Sequence, residues 1–236
     1  MKQTNLDAIK LTAKALLRLP IAETAFSPAI VIHPVYESAF QMVGEKKEIV
    51  NILEDEEALN TLNAFFDKRI DQADSVNKLL FIIRTPYWLL FLKYSKDYLS
   101  KKDFSSLLGD IWTESENPNA DVNVSIRTSA SYFKQADKKV LMHEDEYLVY
   151  QSLPDELTVY RGVAPGRVKD GLSWTANRDK ALWFAGRFNS DGKNQGYILS
   201  GIVKKKNVLA YLNRRGEDEL VVYPKDVMNV KKTVLS

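Results

Sequence analysis

The hydrophobic pattern changes character once along the chain, near Pro154, and that single change limits the folds open to it. Before Pro154, apolar residues recur at three- and four-residue steps, the spacing of one helix face. Leu6, Ile9, Ala13, Leu16 and Leu17 predict a helix over 5–19, stopped by Pro20. The same spacing predicts helices over 45–66, 74–83, 86–99, 104–112, 124–135 and 141–151. Pro86 falls in the first turn of its helix, where a missing N–H leaves no bond unmade. Residues 26–40 hold Pro28 and Pro34 and are expected to be irregular, with one short helix.

After Pro154 come short β-rich runs at 158–160, 171–175, 196–203, 208–211, 220–223 and 227–234, separated by Gly, Asn, Asp and Lys. One helix, over 177–188, interrupts them, with Ala181, Leu182, Phe184, Ala185 and Phe188 on its apolar face. Helices first and strands afterwards, without regular alternation, predict an α+β fold rather than a doubly wound sheet. The Ser-, Asn-, Pro- and Asp-rich stretch 114–123 marks a boundary between a helical region, 1–115, and a second domain, 116–236.

Composition excludes several chemistries. There is no cysteine, so disulfides and thiolate metal sites are ruled out. The two histidines, His33 and His143, are far apart in sequence, and no metal site is expected. The run His143-Glu144-Asp145-Glu146 lacks the second histidine of a zinc protease helix, since Tyr147 stands there. The N-terminus has no signal-peptide pattern, and Arg84 and Pro86 interrupt the most apolar stretch, 79–92. A cytoplasmic protein with no membrane partner is expected.

Charge is uneven. Residues 1–160 hold 18 Lys and Arg against 24 Asp and Glu, while 161–236 hold 15 against 7. The basic portion suits an anionic ligand. Lys204-Lys205-Lys206 and Arg214-Arg215 also read as solvated turns, and the acidic turn 54–57 as a solvated face. The aromatic run from Tyr87 to Tyr94 reads as core.

Three short pieces of the basic portion carry chemistry. No glycine-rich phosphate loop is present, so Arg161 is the leading phosphate ligand, its fork able to make two parallel bonds to phosphate oxygens. Gly162 beside it is expected to let a ligand approach the backbone. Ser173 and Thr175 are two apart on a strand and point one way, with Trp174 on the other face. Glu217 and Glu219 are likewise two apart and are expected to share a face. Two neighbouring carboxylates repel, an arrangement useful in glycosyl chemistry, where one stabilises a cationic sugar and the other orients a nucleophile.

In wording and order these pieces resemble the mono-ADP-ribosyltransferases of the arginine–serine–glutamate, cholera-toxin-like class, and bacterial and phage-encoded members in particular. The resemblance rests on Val159-Tyr160-Arg161-Gly162, Gly171-Leu172-Ser173-Trp174-Thr175, the segment 181–187, Val208-Leu209-Ala210-Tyr211 and the segment 215–222. It covers about a third of the chain, 154–228. It implies a split β-sandwich around a cleft for NAD⁺, which is consumed as a substrate. Glu219 would be the catalytic glutamate and Arg161 would hold the phosphates or the adjoining ribose. Ser173 would orient Glu219 with support from Thr175, and Glu217 would act on the acceptor. Gly162, Trp174, Phe184 and Arg187 would complete the NAD⁺ site, Phe184 near nicotinamide and Arg187 at a phosphate. The loop 212–216 would read the target. Trp174 and Thr175 depart from the family's Ser-Thr-Ser pattern. The acceptor implied is a protein side chain such as arginine, or RNA or DNA. Water in its place would give an NAD⁺ glycohydrolase, and a cleft without turnover a binding module. Relatives of this kind act as toxins, toxin–antitoxin components or phage-conflict factors, so residues 1–115 are expected to bind a target or an antitoxin, or to stabilise the catalytic domain.

Overall fold

The computed structural model describes residues 2–44, 47–187 and 195–235, which form two compact units, Met1–Ser100 and Lys101–Ser236. The division falls before the loop at 114–123, because helix α5 (Lys101–Glu114) belongs to the second unit. No helix among the described residues is long and apolar enough to cross a membrane.

The first unit is mixed rather than all helical. Helix α1 (Leu6–Leu17) is capped by Asn5, whose Oδ1 accepts the Ala8 amide at 3.1 Å, and buries Ile9, Ala13, Leu16 and Leu17. Strands β1 (Ala22–Thr24) and β2 (Ser27–Ile32) form one antiparallel pair, and β3 (Phe40–Val43) and β4 (Glu48–Asn51) another. The expected helix over 45–66 therefore begins late, as α2 (Glu56–Gln72). Asp55 caps it by accepting the Ala58 amide at 2.9 Å, and Glu56 and Glu57 lie in its first turn, where the helix dipole favours negative charge. The acidic turn is thus a helix start, a signal legible in the sequence. Helices α3 (Val76–Leu80) and α4 (Trp88–Ser95) follow, with Pro86 in a 3₁₀ turn just ahead of α4.

In the second unit α5 is followed by a 3₁₀ turn at Pro118–Ala120 and by α6 (Ile126–Gln135), α7 (Lys138–Leu141) and α8 (Glu144–Ser152). The strand-rich part contains β5 (Glu156–Val163), β6 (Ser173–Thr175), β7 (Tyr197–Lys204), β8 (Val208–Leu212), β9 (Glu219–Val222) and β10 (Met228–Val234). Helix α9 (Arg178–Gly186) lies between β6 and β7; the expected apolar position Phe188 is outside the described residues. The strands form one antiparallel sheet in the order β10-β7-β5-β6-β9-β8. Strands β5 and β7 are in register along their length, from Glu156↔Lys204 to Val163↔Tyr197. Strands β5 and β6 share one registered pair, Tyr160↔Thr175. Helix α9 packs on β5 through Ala181 and Ala185, both fully buried. Small side chains at those positions allow a close helix–strand approach.

Candidate active site

The sheet order places β5, β6 and β9 side by side, so Arg161, Ser173 and Glu219 come together despite their distance in sequence. All three line one open cleft, together with Tyr160, Thr175, Phe184, Arg187 and Glu217.

Glu219 opens β9, opposite Thr175 on β6. The Trp112 indole N–H donates to its Oε1 at 2.9 Å, and Ser173 lines the cleft beside it from β6. Burial pushes the Glu219 carboxyl above the usual carboxylate range. Ser173 and the Trp112 bond oppose the rise, Glu217 adds to it, and the Arg161 cation counters it. Ser173 is fixed in turn by Asn119, whose Nδ2 donates to Ser173 Oγ at 2.6 Å while its Oδ1 accepts the Leu172 amide at 2.6 Å. Asn119 belongs to the Pro118–Ala120 turn, so the loop expected to separate two domains is built into the site.

Arg161 is 7% exposed, and much of its guanidinium is engaged by main chain. Nε donates to Lys169 O at 3.1 Å, Nη1 to Ser173 O at 2.7 Å and Nη2 to Val168 O at 2.9 Å. Three of its five N–H groups are thus engaged by main chain: Arg161 clasps the 164–172 loop and also adds its charge to the cleft wall. Burial lowers its pKa to about 10, against the raising influence of Glu219, Tyr197 and Asp170, so it is still a cation at neutral pH. A Cβ at Gly171 would stand 2.2 Å from Arg161 Nη2, so Gly171 is the space this clasp requires.

Gly162 lines the cleft, and it also makes room for a helix. A Cβ there would meet Ala181 O at 2.0 Å and Ala185 N at 2.7 Å, so its missing side chain accommodates α9. Trp174 lines the cleft but is 3% exposed, and its indole N–H donates to Gly171 O at 3.2 Å. Thr175 pairs opposite Glu219, yet its hydroxyl accepts the Asn177 amide at 3.1 Å and shapes the entry to α9. Asn177 then caps that helix by accepting the Asp179 and Lys180 amides. Phe184 and Arg187 both line the cleft, and the Arg187 guanidinium lies 5.1 Å from the Trp183 ring centre.

Glu217 and Glu219 both face the cleft, but not by strand alternation. Glu217 precedes β9, and Asp218 between them has φ +48°, in the left-handed region. Asp218 is held there by Lys180, by the Tyr211 hydroxyl at 2.6 Å, and through its own amide by Asn213 Oδ1 at 2.9 Å. The Lys180 and Tyr211 bonds lower its pKa. Arg215 Nε lies 3.4 Å from Glu217 Oε1, and Arg215 Nη1 donates to Thr113 O at 3.2 Å. Within the loop expected to read a target, Arg214 is directed away from the cleft, bonding Asp110 and Leu141 O, whereas Arg215 lines it. Glu146 accepts the His143 amide at 2.8 Å and the Asn213 amide at 2.7 Å, so the 143–146 run is a helix start that anchors this loop. Among the described residues, no cluster of three His, Asp or Glu side chains could hold a metal ion.

Sequence reasoning missed Trp112 and Asn119. A buried tryptophan in a helix reads as core, and an asparagine beside a proline reads as a turn; neither carries a local mark of the strand it reaches. Comparison with protein-family models, with curated proteins and with solved structures gave no match.

Proposed function

We propose that the second unit is a mono-ADP-ribosyltransferase that breaks the nicotinamide–ribose bond of NAD⁺ and passes ADP-ribose to a macromolecular acceptor, in the manner of a bacterial or phage toxin. The supporting observation is Glu219: a carboxylate at the wall of an open cleft, bonded by Trp112 and flanked by Ser173 on β6, with the Arg161 cation one strand further on. The single β5–β6 pair suits a sheet divided into two three-stranded halves, as a split β-sandwich around NAD⁺ would require.

In this reading the C1′–nitrogen bond breaks with its electron pair going to nicotinamide, and positive charge develops on the ribose. Glu219 is pre-set to stabilise that charge, because the Trp112 bond fixes it before substrate arrives. The acceptor atom then bonds C1′, and Glu217 takes the proton it loses. Arg161 and Arg187 favour the diphosphate by charge. Phe184 offers an aromatic edge to the nicotinamide end, and the first unit serves target or antitoxin binding. The Arg215–Glu217 pair favours NAD⁺ glycohydrolysis as a second reading, since an internal guanidinium already occupies the acceptor carboxylate and water would be the nucleophile left.

Labelled NAD⁺ incubated with the protein and a cell lysate, followed by separation of protein from nucleic acid, distinguishes these outcomes. Label in either fraction establishes transfer and identifies the acceptor class; free ADP-ribose alone establishes hydrolysis. Glu219→Ala is expected to lower turnover at least about a hundredfold, roughly 3 kcal/mol, without loss of fold. Glu217→Ala is expected to lose transfer while keeping NAD⁺ hydrolysis. An active Glu219→Ala protein would refute the assignment.

A further inference from the structure

We infer that Trp112, on helix α5, is a positioning residue for Glu219, so that the reactive carboxylate is set from the helical side of the unit as well as from the sheet. The inference rests on the reading of Glu219 as the group that meets the substrate. It goes beyond that reading because α5 lies outside every motif that pointed to the cleft.

Three observations carry it. First, Trp112 is 1% exposed and packs edge-on against Phe133 of α6, with ring centres 5.1 Å apart and planes at 86°, so the indole is held in one orientation. Second, an indole N–H donates and never accepts, so it favours a carboxylate oxygen with its lone pairs free. Here it meets Glu219 Oε1 at 2.9 Å. Third, Trp112, Ser173 and Glu219 line the same cleft, with Ser173 on β6 fixed by Asn119, so the carboxylate is bounded by an anchored helix residue and an anchored sheet residue. A tryptophan needed only for packing would not have to aim its one polar atom at the cleft.

Ser173 and Trp112 also counter burial, which favours the protonated acid. Removing Trp112 should therefore disturb the ionisation of Glu219 as well as its placement. Trp112→Phe retains an aromatic ring against Phe133 and deletes the N–H.

The test has two arms. In the first, the Trp112 indole N–H resonance is followed by NMR across the acid range in the wild type and in Glu219→Gln. It is expected to move with pH in the wild type and to stay still in the variant. In the second, NAD⁺ turnover is measured against pH for Trp112→Phe. The acid limb is expected to shift upward by about one pH unit and kcat to fall about tenfold with KM little changed. A resonance that ignores pH, or that titrates equally in Glu219→Gln, overturns the inference, as does an unshifted pH profile in an active Trp112→Phe. If the resonance behaves as expected but the wild type never turns over NAD⁺, the Trp112–Glu219 coupling stands and the transferase reading falls.

Discussion

Each unit contains an arginine that clasps a loop through main-chain carbonyls, and the two differ in what lies beside them. In the first unit Arg84 Nη1 donates to His33 O at 3.1 Å and Tyr36 O at 3.0 Å, with Val31 O at 3.4 Å. His33 completes that clasp: its Nδ1 accepts the Val35 and Tyr36 amides at 3.1 Å each, and its Nε2 lies 3.1 Å from Leu19 O. The acid paired with Arg84 is Glu37, at 3.6 Å and largely exposed. In the second unit Arg161 holds Val168, Lys169 and Ser173, and the acid near it is Glu219, within a cleft. A guanidinium bound to carbonyls is therefore a folding device in both units. Only where a fixed carboxylate and an open cavity accompany it does a candidate site exist.

The sharpest way to break this comparison is to replace both arginines by lysine, which keeps charge but loses the planar fork. Arg161→Lys is expected to cost about 4 kcal/mol, because a buried cation and several loop carbonyls lose partners together. Hydrogen exchange should show protection lost around 168–175, and NAD⁺ turnover should fall with it. Arg84→Lys is expected to cost about 2 kcal/mol and to loosen 31–36. Equal effects of the two substitutions on both stability and turnover would erase the distinction.

The pH response sharpens the comparison next, because a titratable group in each unit, buried His33 and half-buried Glu219, moves in the opposite direction to the other. Burial lowers His33 from 6.5 to about 4, helped by Arg84 and resisted by its bond to Leu19. The unfolded chain therefore takes up a proton before the folded unit does. The contribution of His33 is complete above pH 6.5 and is lost as pH falls toward 4, by about 3 kcal/mol. His33→Asn supplies an oxygen acceptor for the two amides without an imidazole, so denaturant unfolding of this variant should lack most of that acid loss.

Glu219 has the other sign. Its folded carboxyl holds its proton above the unfolded range, so its contribution is present at low pH and is lost as pH rises through the folded value. Glu219→Gln should therefore melt higher than the wild type at pH 7.5, by roughly 2–4 °C, and the gain should vanish in acid. This is the smallest of the effects. A lower melting temperature at pH 7.5 would show that the ionised carboxylate is not strained in the fold.

Much of the second unit was legible in the sequence because its signals are local. The change at Pro154, the helix start at Asn177 and the spacing of the β-rich runs arise from neighbouring residues. The first unit was harder. Its two strand pairs are short, and Ile49 and Ile52 also fit a helical spacing that the cap at Asp55 overrides. Gly162 was half legible for a related reason: it lines the cleft, but its missing side chain also makes room for α9, and no local signal shows that.

From its sequence alone the chain determined the α+β order of its elements, the exclusion of thiol chemistry and the concentration of basic charge after residue 160. Short-range periodicity and composition are enough for those. Tertiary structure decided that Trp112 meets a carboxylate 107 positions away, that Asn119 fixes Ser173, that Arg161 bonds its own loop, and that Asp218 turns left-handed between two glutamates. Each of these depends on which strands become neighbours in the sheet, and that is settled when distant apolar faces pack together.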